Sequence, residues 1–243
     1  MTQIKAAIVA LSQSMCVQTE LKGITMRALT LLPLIALAAA PSAAYAEAGD
    51  VLLRVRAVVV SPTESSGSIL PAFPGEEVEV TDSFAPEVDI TYMATDHIGF
   101  ELIAATTKHD FSGTSGTTGG IGQLGSTWVL PPTLTAQYHF APDSSVRPYI
   151  GAGINYTAFY SEDATTALET AVGPTSVSLS DSWGWALQAG VDIDLNENIF
   201  LNFDVKYIDI DTTATLVTGG AGTQSVDIDL DPLVFGIGIG FRL

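Results

Sequence analysis

Five aspartates, Asp209, Asp211, Asp227, Asp229 and Asp231, recur at every second position of two neighbouring segments. Carboxylates opposed on adjacent strands repel unless a cation or proton stands between them, and hard divalent ions prefer oxygen ligands. A Ca²⁺ or Mg²⁺ site built from Asp209, Asp211, Asp229 and Asp231 is one reading; the more conservative one leaves all of them on a solvated surface, with no bound metal and no cofactor. The three histidines offer a second chemistry, since a His beside a Ser and an acid makes an acyl-transfer site. His109 opens a stretch rich in Ser and Asp, but His97 and His139 lie near no nucleophile motif, and each reads better as a polar turn or interior residue. An enzyme is therefore the weaker class, and no catalytic residue is assigned. Gly-Ala-Gly at 151–153 and Gly-Ile-Gly-Ile-Gly at 236–240 read as glycines that make room in a crowded interior, not as phosphate loops.

A third set is charged and alternates with apolar residues: Arg54, Arg56, Asp89, Glu101, Asp192, Asp194, Asp204, Lys206 and Arg242. Alternation of period two sends successive side chains to opposite faces of a strand. Here the set that would be interior is polar and the exterior set is apolar, ending in Val234 to Leu243, Val-Phe-Gly-Ile-Gly-Ile-Gly-Phe-Arg-Leu. That pattern predicts an all-β fold, an eight-stranded antiparallel transmembrane β-barrel.

Composition agrees: 47% of residues are hydrophobic, the mean hydropathy is +0.35, and only one run resembles a membrane helix. Met26-Arg27, the apolar stretch 28–40 and Ala44-Tyr45-Ala46 before Glu47 form a secretory signal, 26–46, too short in its apolar part to span a bilayer. Residues 1–25 read as an upstream extension ahead of the true start at Met26, which leaves 47–243 as the barrel domain. Cys16 falls in the excluded part, so the mature chain holds no cysteine, neither a disulfide framework nor a lipoprotein anchor. It keeps six of the nine basic residues and 26 of the 27 acids, a net charge of −20 that argues against nucleic acid as a partner.

The strands are expected near 50–61, 85–95, 97–109, 127–140, 147–161, 181–195, 198–212 and 225–242. Short turns (95–97, 141–146, 195–198) alternate with long loops (62–84, 110–126, 162–180, 213–224), as periplasmic turns alternate with extracellular loops. The loops are rich in Gly, Ser, Thr and Pro, most plainly at 113–120, and are expected to be mobile at their tips. Tyr156, Tyr160, Trp183, Trp185 and Tyr207 should form one interfacial girdle, and Phe100, Tyr138, Phe140, Phe200 and Phe241 the other.

Four motifs, Tyr-Met-Ala-Thr-Asp-His-Ile-Gly-Phe-Glu-Leu-Ile-Ala-Ala-Thr (92–106), Leu-Pro-Pro-Thr-Leu-Thr-Ala-Gln-Tyr-His-Phe (130–140), Arg-Pro-Tyr-Ile-Gly-Ala-Gly-Ile-Asn-Tyr-Thr (147–157) and Tyr-Ile-Asp-Ile-Asp-Thr-Thr-Ala (207–214), stand in order along the mature chain. They resemble the outer membrane protein W family, which includes the alkane-uptake barrels. The resemblance implies a Gram-negative outer-membrane location and a narrow hydrophobic channel that admits small apolar molecules and releases them sideways into the membrane. Two positions depart from the family: the chain ends in Leu243 rather than the aromatic that the barrel-assembly machinery reads, and Lys206 stands where relatives carry an apolar or aromatic residue near the narrow point.

The alternation tests that mechanism residue by residue. With Leu201, Phe203, Val205 and Tyr207 facing lipid, Asn202, Asp204 and Lys206 face inward, followed higher up by Ile208 and Ile210; on the last strand Val226, Ile228 and Leu230 face inward near the top, and Arg242 closes the bottom. Ile103 adds an apolar inward position on strand 3. The upper lumen is therefore expected to be apolar and the lower a charged plug in which Lys206 either seals the channel or pairs with Asp204 or Glu101, while the five aspartates face outward above the lipid, solvated or sharing the cations of lipopolysaccharide. Pro131-Pro132 on strand 4 cannot donate ladder hydrogen bonds and is the candidate lateral opening, the alternative being a bulge that shapes the barrel; Pro86, Pro148 and Pro232 are lesser interruptions. The expected partners are outer-membrane lipid, lipopolysaccharide, small hydrophobic ligands and the assembly machinery, around a monomeric chain. A structural or surface-receptor barrel without transport is the rival class, and in it the apolar upper lumen would do nothing.

Overall fold

The computed structural model describes residues 47–243. The expected signal peptide and upstream extension lie outside the described residues. In chain order the strands are β1 (Val51–Ser61), β2 (Ser65–Ser66), β3 (Val78–Val80), β4 (Ser83–Met93), β5 (Ile98–Ala105), β6 (Thr107–Gly113), β7 (Gln123–Leu130), β8 (Thr133–His139), β9 (Val146–Ala164), β10 (Thr175–Leu179), β11 (Ser182–Asp194), β12 (Ile199–Ile208), β13 (Asp211–Thr218), β14 (Gly222–Asp229) and β15 (Leu233–Arg242). Two short helices, α1 (Gly116–Ile121) and α2 (Thr166–Val172), interrupt them.

Eight strands close into an antiparallel barrel in the order β11, β12, β15, β1, β4, β5, β8, β9, with β9 pairing back onto β11. Closure removes every free edge, the condition for crossing lipid with strands. Among the described residues no helix is long and apolar enough to cross a membrane. The chain's first and last strands pair along their full length, from Leu52 opposite Arg242 to Ser61 opposite Leu233. The tight periplasmic turns are fixed by side chains that mimic backbone acceptors: Thr95 Oγ1 accepts from the Ile98 amide at 2.9 Å, and Asn196 Oδ1 from the amides of Asn198 and Ile199 at 3.0 Å each.

Outward positions along β4, β5, β8, β9 and β15 carry Ile90, Leu102, Leu134, Ile150, Ile154, Phe235 and Ile237, all exposed on the isolated chain. Phe100, Tyr138, Phe140 and Phe241 ring the turn end, and Trp128, Tyr160, Trp183 and Trp185 the loop end. Phe200 does not join the lower girdle: it is wholly buried in the lumen against Leu52 and Met93. The alternation that turns Asn202 inward turns Phe200 inward with it, two positions away.

The long loops are not open coil. Above the girdle the barrel continues as two sheets: β9 runs on to Ala164 and carries β7, β6 and β3, while β10, β13, β14 and β2 form the other. Between them Ile69, Phe111, Leu124, Leu168, Leu216, Val226 and Ile228 make an apolar core. The Thr- and Gly-rich stretch 213–224 forms a hairpin because Ala214 and Leu216 keep the inward alternation and threonine suits a half-buried strand. The glycine-rich 113–120 stretch includes most of α1, whose first amides are capped by the carboxylate of Glu76 (Thr117 N at 2.8 Å, Thr118 N at 2.7 Å).

Candidate functional site: the lumen

The upper lumen holds a cavity of about 60 Å³. Ile103 on β5, Ile208 on β12, and Ile210, Ile228 and Leu230 just above line it, as their parity requires. Val226 does not; it faces a second, smaller cavity of about 30 Å³ in the extracellular core, which Ile228 also touches. Val58, Val129, Phe159 and Val234 complete the main wall. Continuing the same alternation on β1, β7, β9 and β15 would have found them.

Lys206 and Glu87 form the cavity floor. Lys206 Nζ lies 2.9 Å from Glu87 Oε1 and 3.1 Å from Asp204 Oδ1, so its partners are Asp204 and Glu87, not Glu101. Glu87 had a signal in the sequence, since it stands two residues from the inward Asp89 on β4. Below, Arg56 reaches Glu87 and Asp89 at 2.8 Å and Asp204 at 3.2 Å, and Arg54 meets Asp89 and Asp192 at 3.0 Å and Glu101 at 3.2 Å. Five carboxylates thus face three cations. Neutral donors meet part of the excess: Gln188 Nε2 donates to Glu101 Oε2 at 2.8 Å, and Asn202 Nδ2 to Asp192 Oδ1 at 2.8 Å. Ions buried this deeply cost several kcal/mol each unless paired and hydrogen-bonded, which explains why every member has more than one partner.

Nearer the periplasm Phe200 inserts a ring under the network, with the guanidinium groups of Arg54 and Arg147 each 5.5 Å from its centroid. Asp194 sits apart from the central network and instead pairs with Arg147 and Arg242 at the mouth, where Arg242 also lies 3.6 Å from Asp50. Arg147 and Tyr149 were missed as lumen residues, although Gly151 and Asn155 on β9 share their parity. The inward glycines of β15 give the network its space: a Cβ on Gly240 would fall 2.1 Å from Phe200 Cζ.

Pro131-Pro132 splits the expected fourth strand into β7 and β8, and Thr106 likewise splits the third into β5 and β6. Ile103 pairs with Thr133 below and Thr107 with Val129 above, but 104–106 and 130–132 have no pairing across the wall. Three other strand breaks near this height are bridged, by Asp209 N to Trp185 O at 2.9 Å, Ile208 N to Pro232 O at 3.2 Å and Leu230 N to Ile210 O at 2.8 Å, while just above the slot β4 and β6 have no ladder pairing between Glu87 opposite Ala105 and Val80 opposite Phe111. The unpaired slot has Ala105, Pro131 and the cavity on its inner side.

Of the aspartates, the carboxylates of Asp209, Asp211 and Asp231 approach within 4.8 Å of one another, while Asp229 lies outside the group and accepts from Ser65 Oγ at 3.2 Å. Asp231 is occupied by protein donors, Tyr207 OH at 2.9 Å and Ile210 N at 3.2 Å. Burial, then the neighbouring acids, raises the Asp211 carboxyl above its ordinary range. His109 has both ring nitrogens engaged, Nδ1 donating to Thr81 O at 2.7 Å and Nε2 3.0 Å from Thr107 Oγ1. Burial lowers its pKa, and neither partner is a nucleophile–acid pair.

A closed antiparallel barrel, apolar outside between two aromatic girdles and polar within, is a transmembrane barrel of the outer-membrane type. The profile described as the OmpW family matches residues 47–243. Outer membrane protein W of Escherichia coli K12 is 42% identical over 223 residues, 91% of this chain and all of that one. The crystal structure of the outer membrane protein OprG from Pseudomonas aeruginosa superposes with a TM-score of 0.76 at 35% identity, covering 81% of this chain and 97% of that one. The "Dibenzothiophene metabolism operon protein PahQ" of Pseudomonas aeruginosa is 33% identical over 170 residues, 69% of this chain and 75% of that protein. The chain belongs to the OmpW family, and the outer membrane protein W relatives it matches are outer-membrane proteins of Gram-negative bacteria.

Proposed function

We propose that this barrel is a passive channel for small hydrophobic molecules, which it takes into the apolar upper lumen, denies passage through the charged floor, and releases sideways through the slot at Pro131-Pro132. The observation that carries the reading is the cavity itself: walled mainly by apolar side chains, with Thr107, His109, Thr127, Thr133 and Thr212 among them, floored by Lys206 and Glu87, and bordered by a stretch of wall without cross-strand pairing. Burial rewards an apolar guest by about 25 cal/mol per Å². The ion-paired floor offers it nothing, so the lateral route is the easier exit. A relative named for a dibenzothiophene metabolism operon fits a fused, apolar aromatic as one kind of cargo. The working surroundings in this reading are lipid, lipopolysaccharide and the assembly machinery, with a single chain as the working unit.

The test is entry of a medium-chain alkane into cells with an intact outer membrane, with and without the protein, beside a hydrophilic sugar of similar mass. Faster alkane entry alone supports the reading. Faster sugar entry means an open aqueous pore, and no change for either leaves a structural or receptor barrel.

A further inference from the structure

The slot in the wall is not left open on its lipid side. Tyr160, outward on the extension of β9, stands opposite Trp128 of β7 and stacks on it at 6.3 Å between centroids. Its phenol crosses the outer face of β7 and meets the hydroxyl of Thr106 at 2.6 Å. Thr106 is the residue at which β5 and β6 part, so the bond spans from β9 to the far lip of the unpaired stretch, over β7, which ends at Leu130. No backbone bond joins those lips, and a side-chain bridge therefore has more leverage there than on a paired ladder.

We propose that Tyr160 and Thr106 form a latch across the upper end of the slot, and that its hydroxyl–hydroxyl bond sets how often the slot admits a small apolar molecule to the outer leaflet. The proposal rests on the lateral-release reading above and adds to it the residues that govern the rate. The bond lies in the aromatic girdle, where water and lipid headgroups compete for both hydroxyls, so it is the kind of contact that opens and recloses while the ladders on either side stay paired. Trp128 holds the ring in place and makes the latch a swing of one hydroxyl rather than a displacement of the strand.

The test compares n-octane and sugar entry in intact cells carrying no barrel, the native protein, Tyr160→Phe or Thr106→Val, with heat-modifiable gel mobility showing that each barrel has assembled. Tyr160→Phe keeps the stacked ring and removes only the hydroxyl, so a purely packing role would leave entry unchanged. Loss of one such bond should raise octane entry about two- to tenfold in both variants, with sugar entry unaltered. Native protein faster than empty cells with both variants equal to native overturns the latch and leaves lateral release standing. Native and variants all equal to empty cells overturns both. Native equal to empty cells with faster variants supports a latch that is closed at rest. If only one variant is faster, the bond is not the controlling contact and the proposal falls.

Discussion

Lys206 Nζ and Glu87 Oε1 meet at 2.9 Å on strands that are not neighbours in the barrel, with β1 and β15 between them. The pair spans the lumen and forms the boundary between its apolar and charged halves. Truncating one partner leaves the other charge buried and underpaired. Lys206→Met is expected to lower barrel stability by about 3–5 kcal/mol, read as urea unfolding in detergent micelles. Adding Glu87→Gln to Lys206→Met should recover part of that loss, because it removes one of the carboxylates left in excess, Glu87 then being paired with Arg56 alone.

Gly240→Ala drives a methyl group into the ring of Phe200. Overpacking of this kind costs about 1–3 kcal/mol. Gly240→Ala combined with Phe200→Leu should be more stable than Gly240→Ala alone, a coupling that a double-mutant cycle on unfolding midpoints would measure.

Burial holds the His109 imidazole below its ordinary value of 6.5. The unfolded chain then binds this proton more readily than the folded one, so the stability contribution of a neutral His109 is full above pH 6.5 and falls as pH drops below it until the folded form also protonates. His109→Gln should flatten that part of the profile. Unfolding midpoints of both proteins between pH 8 and pH 5 check it; parallel curves would show that His109 does not contribute.

A single carboxylate in the upper lumen should abolish alkane entry without touching the ion-paired floor. Ile208→Asp and Ile228→Asp each put an unpaired charge in the apolar path. Entry at the empty-cell rate, in barrels shown to be assembled, is the expected outcome; native rates would mean that the cavity is not on the route.

Much of this lumen was legible because the chain alternates with strict parity. Once Asn202 is taken as inward, Asp204, Lys206, Ile208 and Ile210 follow at fixed steps of height, and their neighbours across the wall follow from the short turns. Phe200 shows the limit of a residue-type argument set against parity: an aromatic near the turn end looked interfacial, yet its position assigns it to the interior. Glu87 and Arg147 were within reach of the same counting. The extracellular sheets were less accessible, because Gly, Ser and Thr carry loop and strand signals at once, and what makes those residues strands is an apolar core assembled from β6, β7, β13, β14 and α2. Long-range pairings such as Tyr160 with Thr106 leave no trace in local spacing.

The two sheets above the girdle carry their greasy side chains within and their aspartates without, the reverse of the barrel beneath, although β14 and β15 are stretches of one continuous strand path broken only near Asp231 and Pro232. A single β-ribbon therefore obeys two solvents in succession. Charge-by-charge scanning down that ribbon would act as a depth gauge: acidic replacements at outward sites would be harmless as far as Asp229, harmful from Leu233 downward, and the crossover would mark where the hydrocarbon begins.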